Sequence, residues 1–141
     1  MRTPFTQLYL HFVWATWDRH PFLSEPLRSR VYACIQAECG RLGADVIALG
    51  GVEDHVHVLV RVPATIAPAE LVNQMKGVSS HLVNHEIRPP FFFKWQGGYG
   101  AFTITKRDVP AVRDYVNNQE RHHREKRLDP AVEPSDPVAP R

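Results

Sequence analysis

The sequence predicts an α+β fold of the ferredoxin-like or RRM-like type, a split β-α-β arrangement whose antiparallel sheet carries helices on one face. The first observation is the element order: strand-like and helix-like segments follow one another as β-α-β-β-α-β. The second is a further helical pattern after these six elements, which predicts a C-terminal helix. The third is length, because 141 residues suffice for one hydrophobic core.

The first half of the chain contains the β-α-β-β run. QLYLHFVWAT is rich in aromatic and β-branched residues, which favours a strand. Apolar residues at helical spacing follow a serine that can cap a helix, and glycines end that pattern. The predicted elements are a strand over 7–16, a helix capped by Ser24 and ended by Gly40 and Gly43, strands over 44–50 and 53–62, and a hairpin turn at Gly50 and Gly51.

The second half of the chain predicts a helix, an extended region and the last helix. Apolar residues form one stripe from Ala67 onward, and the Pro89-Pro90 pair ends that region. Aromatic residues and glycines then predict extended structure over 91–96 and 97–105. Asp108 is predicted to cap a third helix that runs from Val109 to about Arg127.

Composition and length indicate one folded domain over 1–128. The segment 129–141 contains four prolines and is predicted to be a disordered tail. No apolar run approaches the roughly 20 residues of a membrane span, and no signal-peptide pattern is visible, so we expect a cytoplasmic protein without a membrane partner. The two cysteines lie in one helical segment, which excludes a disulfide framework and a zinc knuckle. A net charge of +2 neither requires nor excludes nucleic acid.

Two histidines separated by one residue are the first candidate for chemistry. His55 and His57 lie in the strand-like segment DHVHVLV, where residues i and i+2 point to one face, while Val56 and Val58 point to the core. Two imidazoles on one face supply two metal ligands. A polar sheet face that happens to carry two histidines is the alternative. With oxygen ligands added, Mg²⁺ or Mn²⁺ would suit such a site no worse than zinc.

The last helix carries the second candidate group. Tyr115 and Gln119 are four residues apart and therefore lie on one stripe, beside the apolar Val112 and Val116. A tyrosine can act as a nucleophile when its proton is removed and a metal holds the attacked group. The amide oxygen of Gln119 is a possible metal ligand. An ordinary amphipathic helix whose tyrosine covers the edge of the core is the alternative.

Together these segments resemble the single-tyrosine HUH transposases of small bacterial insertion sequences, close kin of the REP-associated tyrosine transposases. "HUH" denotes histidine–hydrophobic–histidine, and the HxH pair alone is a weak signal. The pair followed by WQxGYGAF and YxxNQxxHH is specific. The matching segments are HFVWATWDRHPFL, DHVHVLV, MKGVSS, WQGGYGAFTIT and VRDYVNNQERHHR.

The resemblance assigns roles to four residues and a reaction to the protein. It implies that His55, His57 and Gln119 bind a divalent metal, Mg²⁺ or Mn²⁺, and that Tyr115 is the nucleophile. The implied activity is transposition by cleavage and rejoining of single-stranded DNA through a 5′-phosphotyrosine, with hairpins at element ends as recognition sites. It also implies a homodimer, whose active sites could be shared between subunits, in the bacterial cytoplasm and on the nucleoid when acting.

Weaker signals point to DNA contacts. Basic and hydroxyl residues on the second helix can contact phosphates, a basic cluster follows the tyrosine, and an aromatic residue in the glycine turn can stack on a base. Most such residues in other proteins are simply solvated. The candidates are Lys76, Ser79, Ser80, Tyr99, Arg121 and Arg124.

Three other functions compete with an active transposase. A domesticated relative that processes extragenic palindromes would use the same chemistry in a host role. A non-catalytic RRM-like nucleic-acid binder shares the element order, but its aromatic strand motif is missing from this sequence. A rolling-circle replication enzyme or relaxase shares the HUH pair, but the residues around the pair generally differ and many such enzymes carry more tyrosines.

Overall fold

The structure is a computed structural model that describes residues 4–119. Three short helical segments, Trp17–Arg19, Leu82–Ile87 and Lys106–Asp108, accompany the main elements. The four strands and three α-helices are β1 (Leu8–Ala15), α1 (Leu27–Arg41), β2 (Asp45–Val52), β3 (His55–Val62), α2 (Pro68–His81), β4 (Gly100–Ile104) and α3 (Val109–Asn117).

The four strands form one sheet in the order β2-β3-β1-β4, and all neighbours are antiparallel. β1 and β2 run parallel to each other as the two strands of a β-α-β unit, and β3 is inserted between them. This confirms the predicted split β-α-β fold. The central strands β1 and β3 pair along their full length, from Leu8 opposite Val62 to Ala15 opposite His55.

The main core lies between the sheet and the helices α1 and α2. Alternate residues of β1 and β3 point toward these helices, as expected for strands. Phe12 and Trp14 from β1 and Val56 and Val58 from β3 are fully buried there. The prediction that Val56 and Val58 enter the core, opposite the two histidines, is therefore confirmed.

Helix α3 packs on the other face of the sheet. Its residues Val112 and Val116 form a second small cluster with Ala48 of β2 and Leu59 of β3. The fold therefore has three layers, with α1 and α2 on one side and α3 on the other. The sheet face that carries His55 and His57 is covered by α3 rather than open.

The predicted hairpin turn at Gly50 and Gly51 is wrong, because both glycines lie inside β2 and the chain turns at Glu53 and Asp54. Their small size serves close packing instead. A Cβ on Gly50 would lie 2.2 Å from the carbonyl oxygen of Val116 in α3. A Cβ on Gly51 would lie 2.2 Å from the carbonyl oxygen of His55. The glycines thus let the last helix and the neighbouring strand approach the backbone of β2.

The region between α2 and β4 is a helical segment followed by largely unpaired chain. The helix continues past α2 as a π-helical segment to Ile87, and it ends where Arg88 takes a φ of 55°. Residues 91–96 form no strand; their regular contact with the sheet is a single bridge from Trp95 to Thr16. Two prolines, at 89 and 90, precede this segment and limit regular pairing there.

The end of α3 lies at Asn117, where a longer helix was expected. The side-chain amide of Asn118 donates to the carbonyl oxygen of Asp114 at 2.7 Å, and Asn118 itself has a φ of −112°. Such side-chain bonds compete with the helical ladder. The predicted continuation to Arg127 and the predicted tail over 129–141 lie outside the described residues. Within residues 4–119, no helix is long and apolar enough to cross a membrane.

Candidate active site

The two histidines of β3 lie side by side beneath α3. Their ring centroids are 5.1 Å apart and their planes make an angle of 69°. Only 2% of His55 and none of His57 is exposed. Two buried imidazoles need polar partners, because burying an unsatisfied polar group costs free energy. The structure supplies a different partner to each ring.

Asp54 is the partner of His55. One carboxylate oxygen of Asp54 lies 2.7 Å from Nδ1 of His55, and the other lies 3.8 Å from the guanidinium of Arg19. A carboxylate accepts hydrogen bonds only, so Nδ1 of His55 is the donor and Nε2 retains the lone pair in the neutral ring. Asp54 was not among the predicted site residues, although it directly precedes the HxH pair.

His11 is the partner of His57. Nε2 of His11 lies 2.9 Å from Nδ1 of His57, and the two rings stack with centroids 5.1 Å apart. Both side chains are fully buried. His11 lies on β1, so this contact joins residues 46 positions apart. Sequence analysis did not single out His11; the available signal was one polar residue inside an otherwise apolar strand.

Helix α3 brings Tyr115 to His57, and Gln119 follows shortly after the helix. The Tyr115 ring packs edge-to-face on His57, with centroids 6.0 Å apart, and 6% of the residue is exposed. The Gln119 amide nitrogen donates to the Tyr115 carbonyl oxygen at 3.2 Å. The Gln119 side-chain oxygen is buried and accepts no hydrogen bond from any described residue. The predicted residues Tyr115 and His57 are therefore neighbours, with Gln119 one turn further along the chain.

This donor set fits a divalent metal ion. Two imidazole rings and a buried amide oxygen without a donor can supply ligands to Mg²⁺ or Mn²⁺, although the amide is a weak ligand. Within residues 4–119, no cluster of three or more histidine, cysteine or carboxylate side chains is arranged as a metal site. A metal site here therefore depends on Gln119 to supply a third ligand from the protein.

Three of the predicted DNA contacts lie around α2 and the loop before β4. Lys76 donates to the carbonyl oxygens of Gln96 and Gly98, each at 2.8 Å, and burial lowers the pKa of its ammonium to about 8. The ring centroid of Tyr99 lies 5.9 Å from the same ammonium. Ser80 is half-buried. Lys76 thus ties the glycine turn to α2.

A groove of about 540 Å³ runs between α2 and residues 92–97, and Lys76 and Ser80 line it together with Phe92 and Lys94. Phe92 is 73% exposed, and the Lys94 ammonium lies 3.9 Å from the centroid of the Trp17 ring. Exposed aromatic rings beside lysines are typical of single-strand binding surfaces. The groove lies at the end of the sheet where β1 ends, because the backbone N–H of Gln96 donates to the carbonyl oxygen of Ala15, the last residue of β1.

Ser79 does not belong with these surface residues. It is fully buried, and its hydroxyl donates to the Met75 carbonyl oxygen at 2.7 Å and accepts from the Trp95 indole at 2.9 Å. The expectation that Ser79 contacts phosphates is at odds with this placement, since no part of the side chain reaches the surface. Arg121 and Arg124 lie outside the described residues.

The family follows from a match to the whole described chain. A family model described as "Transposase IS200 like" matches residues 4–119. The chain belongs to the IS200-like transposase family. The expected resemblance is thereby confirmed, and the activity class is DNA transposition. The match spans His11, the HxH pair and Tyr115, and it ends at Gln119. A search of curated proteins finds no match.

Two solved structures share the fold of this family member. A candidate transposase from Deinococcus radiodurans is 22% identical, with a TM-score of 0.66, and the alignment covers 84% of this chain and 95% of that one. A REP-associated tyrosine transposase bound to a REP hairpin is 13% identical, with a TM-score of 0.65, covering 91% of this chain and 74% of that one. At these identities the likeness establishes the fold.

Proposed function

We propose that this transposase cleaves and rejoins single-stranded DNA with Tyr115 as the nucleophile and a divalent metal held by His55, His57 and Gln119. The observation that supports this most directly is the packing of the Tyr115 ring on His57, with centroids 6.0 Å apart. Gln119 follows two residues after the end of α3, and its buried side-chain oxygen lacks a donor among the described residues. The proposed site combines this nucleophile with two ring nitrogens and an amide oxygen.

The metal ligands suit attack on a phosphodiester. A bound Mg²⁺ or Mn²⁺ would neutralise the charge that develops on the non-bridging oxygens of the phosphate. His55 is held by the Asp54 carboxylate, so its Nε2 lone pair is available to a metal. Because the site is nearly closed to water, its electrostatic interactions are stronger than they would be at an exposed surface.

Tyr115 would exchange one phosphoester bond for another. Its hydroxyl oxygen attacks phosphorus, and the bond from phosphorus to the 3′-oxygen breaks. The leaving strand ends in a 3′-hydroxyl, which gains a proton as Tyr115 loses one, and the 5′ end stays on the tyrosine. Since the new bond is also a phosphodiester, a second 3′-hydroxyl can attack it and join a new strand without ATP.

Access to Tyr115 requires a movement of α3. The tyrosine is 6% exposed, and its hydroxyl is buried. A phosphate must lie about 3–3.5 Å from the attacking oxygen, which the closed arrangement does not allow. We infer that DNA binding displaces α3 from the sheet. Such a movement would break the apolar contacts of Val112 and Val116 with Ala48 and Leu59.

The DNA partner we propose is a single strand or a hairpin. The groove beside Lys94 and Phe92 offers positive charge and an exposed ring, which suit unpaired nucleotides. The structurally similar REP-associated transposase is described as bound to a REP hairpin, which favours the same substrate class here. Both a mobile element and a domesticated palindrome-processing enzyme remain compatible with this chemistry. Subterminal hairpins at both ends of the flanking DNA would favour the mobile element.

The proposal includes a homodimer. Family resemblance suggests that sheets of two subunits join and that α3 of one subunit can complete the site of the other. In the structure, α3 packs on the sheet of its own chain, and Tyr115 contacts His57 of the same chain. This packing favours a site assembled within one subunit, at least in the closed state.

A covalent adduct tests the proposed function. Wild-type protein, Mn²⁺ and a labelled hairpin oligonucleotide should give a protein–DNA adduct that survives denaturation, and Tyr115→Phe should give none. Tyr32→Phe is the matched control, because the buried Tyr32 hydroxyl has no hydrogen-bond partner among the described residues and its loss should be harmless. An adduct in Tyr115→Phe would refute the nucleophile. Equal cleavage of a fully paired duplex would refute the single-strand requirement.

A further inference from the structure

The contact between His11 and His57 is the best-defined polar interaction of the site that the proposed chemistry leaves unused. His11 is directly opposite Leu59 of β3, so His57 is its diagonal neighbour across the strand pair. The rings are nearly parallel, at 23°, and the nitrogens lie 2.9 Å apart in a fully buried setting. The Phe102 ring of β4 lies 6.3 Å away on the other side of His11 and restricts its movement.

A hydrogen bond between two neutral imidazoles exists in one of two tautomeric forms. In the first, Nδ1–H of His57 donates to Nε2 of His11, and Nε2 of His57 keeps its lone pair. In the second, His11 donates, so the proton of neutral His57 lies on Nε2. A nitrogen that carries a proton cannot bind a metal. Only the first form makes His57 a ligand through Nε2.

The neighbouring histidine has the equivalent arrangement. The Asp54 carboxylate accepts from Nδ1 of His55 and thereby leaves the lone pair on Nε2. Ligand histidines commonly donate their other ring nitrogen to a carboxylate or a carbonyl, which fixes both tautomer and ring orientation. In this protein an imidazole, instead of a carboxylate, lies in that position behind His57.

We propose that His11 is a positioning residue that accepts the Nδ1–H of His57 and so presents Nε2 of His57 to the metal. The inference rests on the proposed metal site and adds a residue to it. His11 is not a ligand in this arrangement, because its Nε2 is directed at the His57 ring. An imidazole cannot carry negative charge here, so His11 orients His57 without adding the charge that a carboxylate would bring to a phosphate-binding site.

Two variants separate this role from packing. His11→Phe keeps a ring of similar size but has no acceptor, whereas His11→Gln places an amide oxygen near the position of Nε2. Mn²⁺ binding to DNA-free protein, measured by calorimetry or by the electron paramagnetic resonance of free Mn²⁺, should weaken by roughly 10–100-fold in His11→Phe. His11→Gln should recover most of that loss. Wild-type Mn²⁺ affinity in a folded His11→Phe, or equal losses in both variants, would overturn the proposal.

The adduct assay provides a second readout. A residue that orients a metal ligand should change the Mn²⁺ concentration for half-maximal adduct formation more than the rate at saturating Mn²⁺. A His11→Phe variant that is equally slow at every Mn²⁺ concentration would refute the role. His57→Ala separates this inference from the proposed function. Wild-type Mn²⁺ affinity in His57→Ala would refute the proposed metal site. Weak Mn²⁺ binding in His57→Ala with wild-type binding in His11→Phe would refute only the role of His11.

The tautomer can also be read in the unaltered protein, which keeps the test valid if both variants fail to fold. In nitrogen-15 spectra of metal-free wild-type protein, His57 should show a protonated Nδ1 and an unprotonated Nε2. A His57 ring protonated on Nε2 and not on Nδ1 would refute the proposal outright. Assignment of the ring signals follows from their loss in His57→Ala and does not require any change to His11.

Discussion

The α-carbon of Gly50 faces the backbone of Val116 so closely that a methyl group there would lie 2.2 Å from the Val116 carbonyl oxygen. This contact sets the distance between β2 and α3. Because Tyr115 precedes Val116 on the helix, the same contact sets how deeply the tyrosine lies against His57. Gly50 is also the cross-strand partner of His57, so this one glycine borders both the helix and the candidate site.

Gly50→Ala should therefore push α3 away from the sheet. We expect a loss of about 1–3 kcal/mol in the free energy of unfolding, as for other overpacked sites, together with slower adduct formation. Gly40→Ala is the matched control, because no heavy atom lies within 4 Å of the added carbon. That control should gain about 0.5–1 kcal/mol, since alanine favours helix interiors. Urea unfolding measures the stability of both variants, and the adduct assay measures the rate. A Gly50→Ala variant with wild-type stability and a wild-type adduct rate would contradict the role of the glycine.

Ser79→Ala should affect stability and not DNA affinity. It leaves the buried indole N–H of Trp95, now bonded at 2.9 Å, without its acceptor, which costs about 1–3 kcal/mol. Ser80→Ala, one residue away and partly exposed, is the comparison and should leave stability nearly unchanged. Thermal unfolding and hairpin binding at low temperature separate the two effects. Weakened hairpin binding in folded Ser79→Ala, without loss of stability, would restore Ser79 as a DNA contact.

Local patterns in the sequence were enough to predict most of the fold. The alternation in DHVHVLV predicted a strand with its valines inward, and the structure buries Val56 and Val58 accordingly. The pair at Gly50 and Gly51 predicts a turn, because glycine is common in turns. The structure uses both for close approach of distant backbone, and a sequence does not reveal which backbone will lie nearby.

The candidate site was predictable only where its residues are close in sequence. His55 and His57 share a strand face, and Tyr115 and Gln119 share a helix stripe, so spacing alone groups each pair. His11 meets His57 across 46 residues, through a strand pairing that no local pattern specifies. The sequence also gave no indication that α3 would cover the histidines and bury Tyr115, because burial depends on how the helix docks on the sheet.

Gln119→Ala should raise the metal requirement of the enzyme. It removes the buried amide oxygen that we propose as the third ligand. Loss of a residue that only supports a ligand weakens metal binding by about 10-fold or more. The Mn²⁺ concentration for half-maximal adduct formation should therefore rise by at least about 10-fold. Gln119→Glu keeps an oxygen and should retain Mn²⁺ binding. Asn117→Ala, an exposed neighbour, is the control. An unchanged Mn²⁺ requirement in Gln119→Ala would exclude the residue from the metal site.

The subunit that supplies Tyr115 to each site can be determined by mixing two inactive variants. Tyr115→Phe lacks the nucleophile, and His57→Ala lacks one metal ligand. If α3 returns Tyr115 to the histidines of its own chain once DNA is bound, every site of a mixed dimer lacks one of the two groups. We therefore expect no adduct from heterodimers isolated by two different affinity tags.

Exchange of α3 between subunits would give the opposite result. One site of the mixed dimer would then combine the intact tyrosine of the His57→Ala chain with the intact histidines of the Tyr115→Phe chain, and up to half of the wild-type activity would return.

The dimer itself is tested by the same preparation. If no heterodimer can be isolated and sedimentation gives the mass of a single chain, the proposed dimer is refuted. Because the two sheet edges are formed by β2 and β4, such a dimer would need to join one of these strands to its counterpart. A charged or proline substitution on the joined strand should then separate the subunits, and adduct formation should survive only if each site is built within one chain.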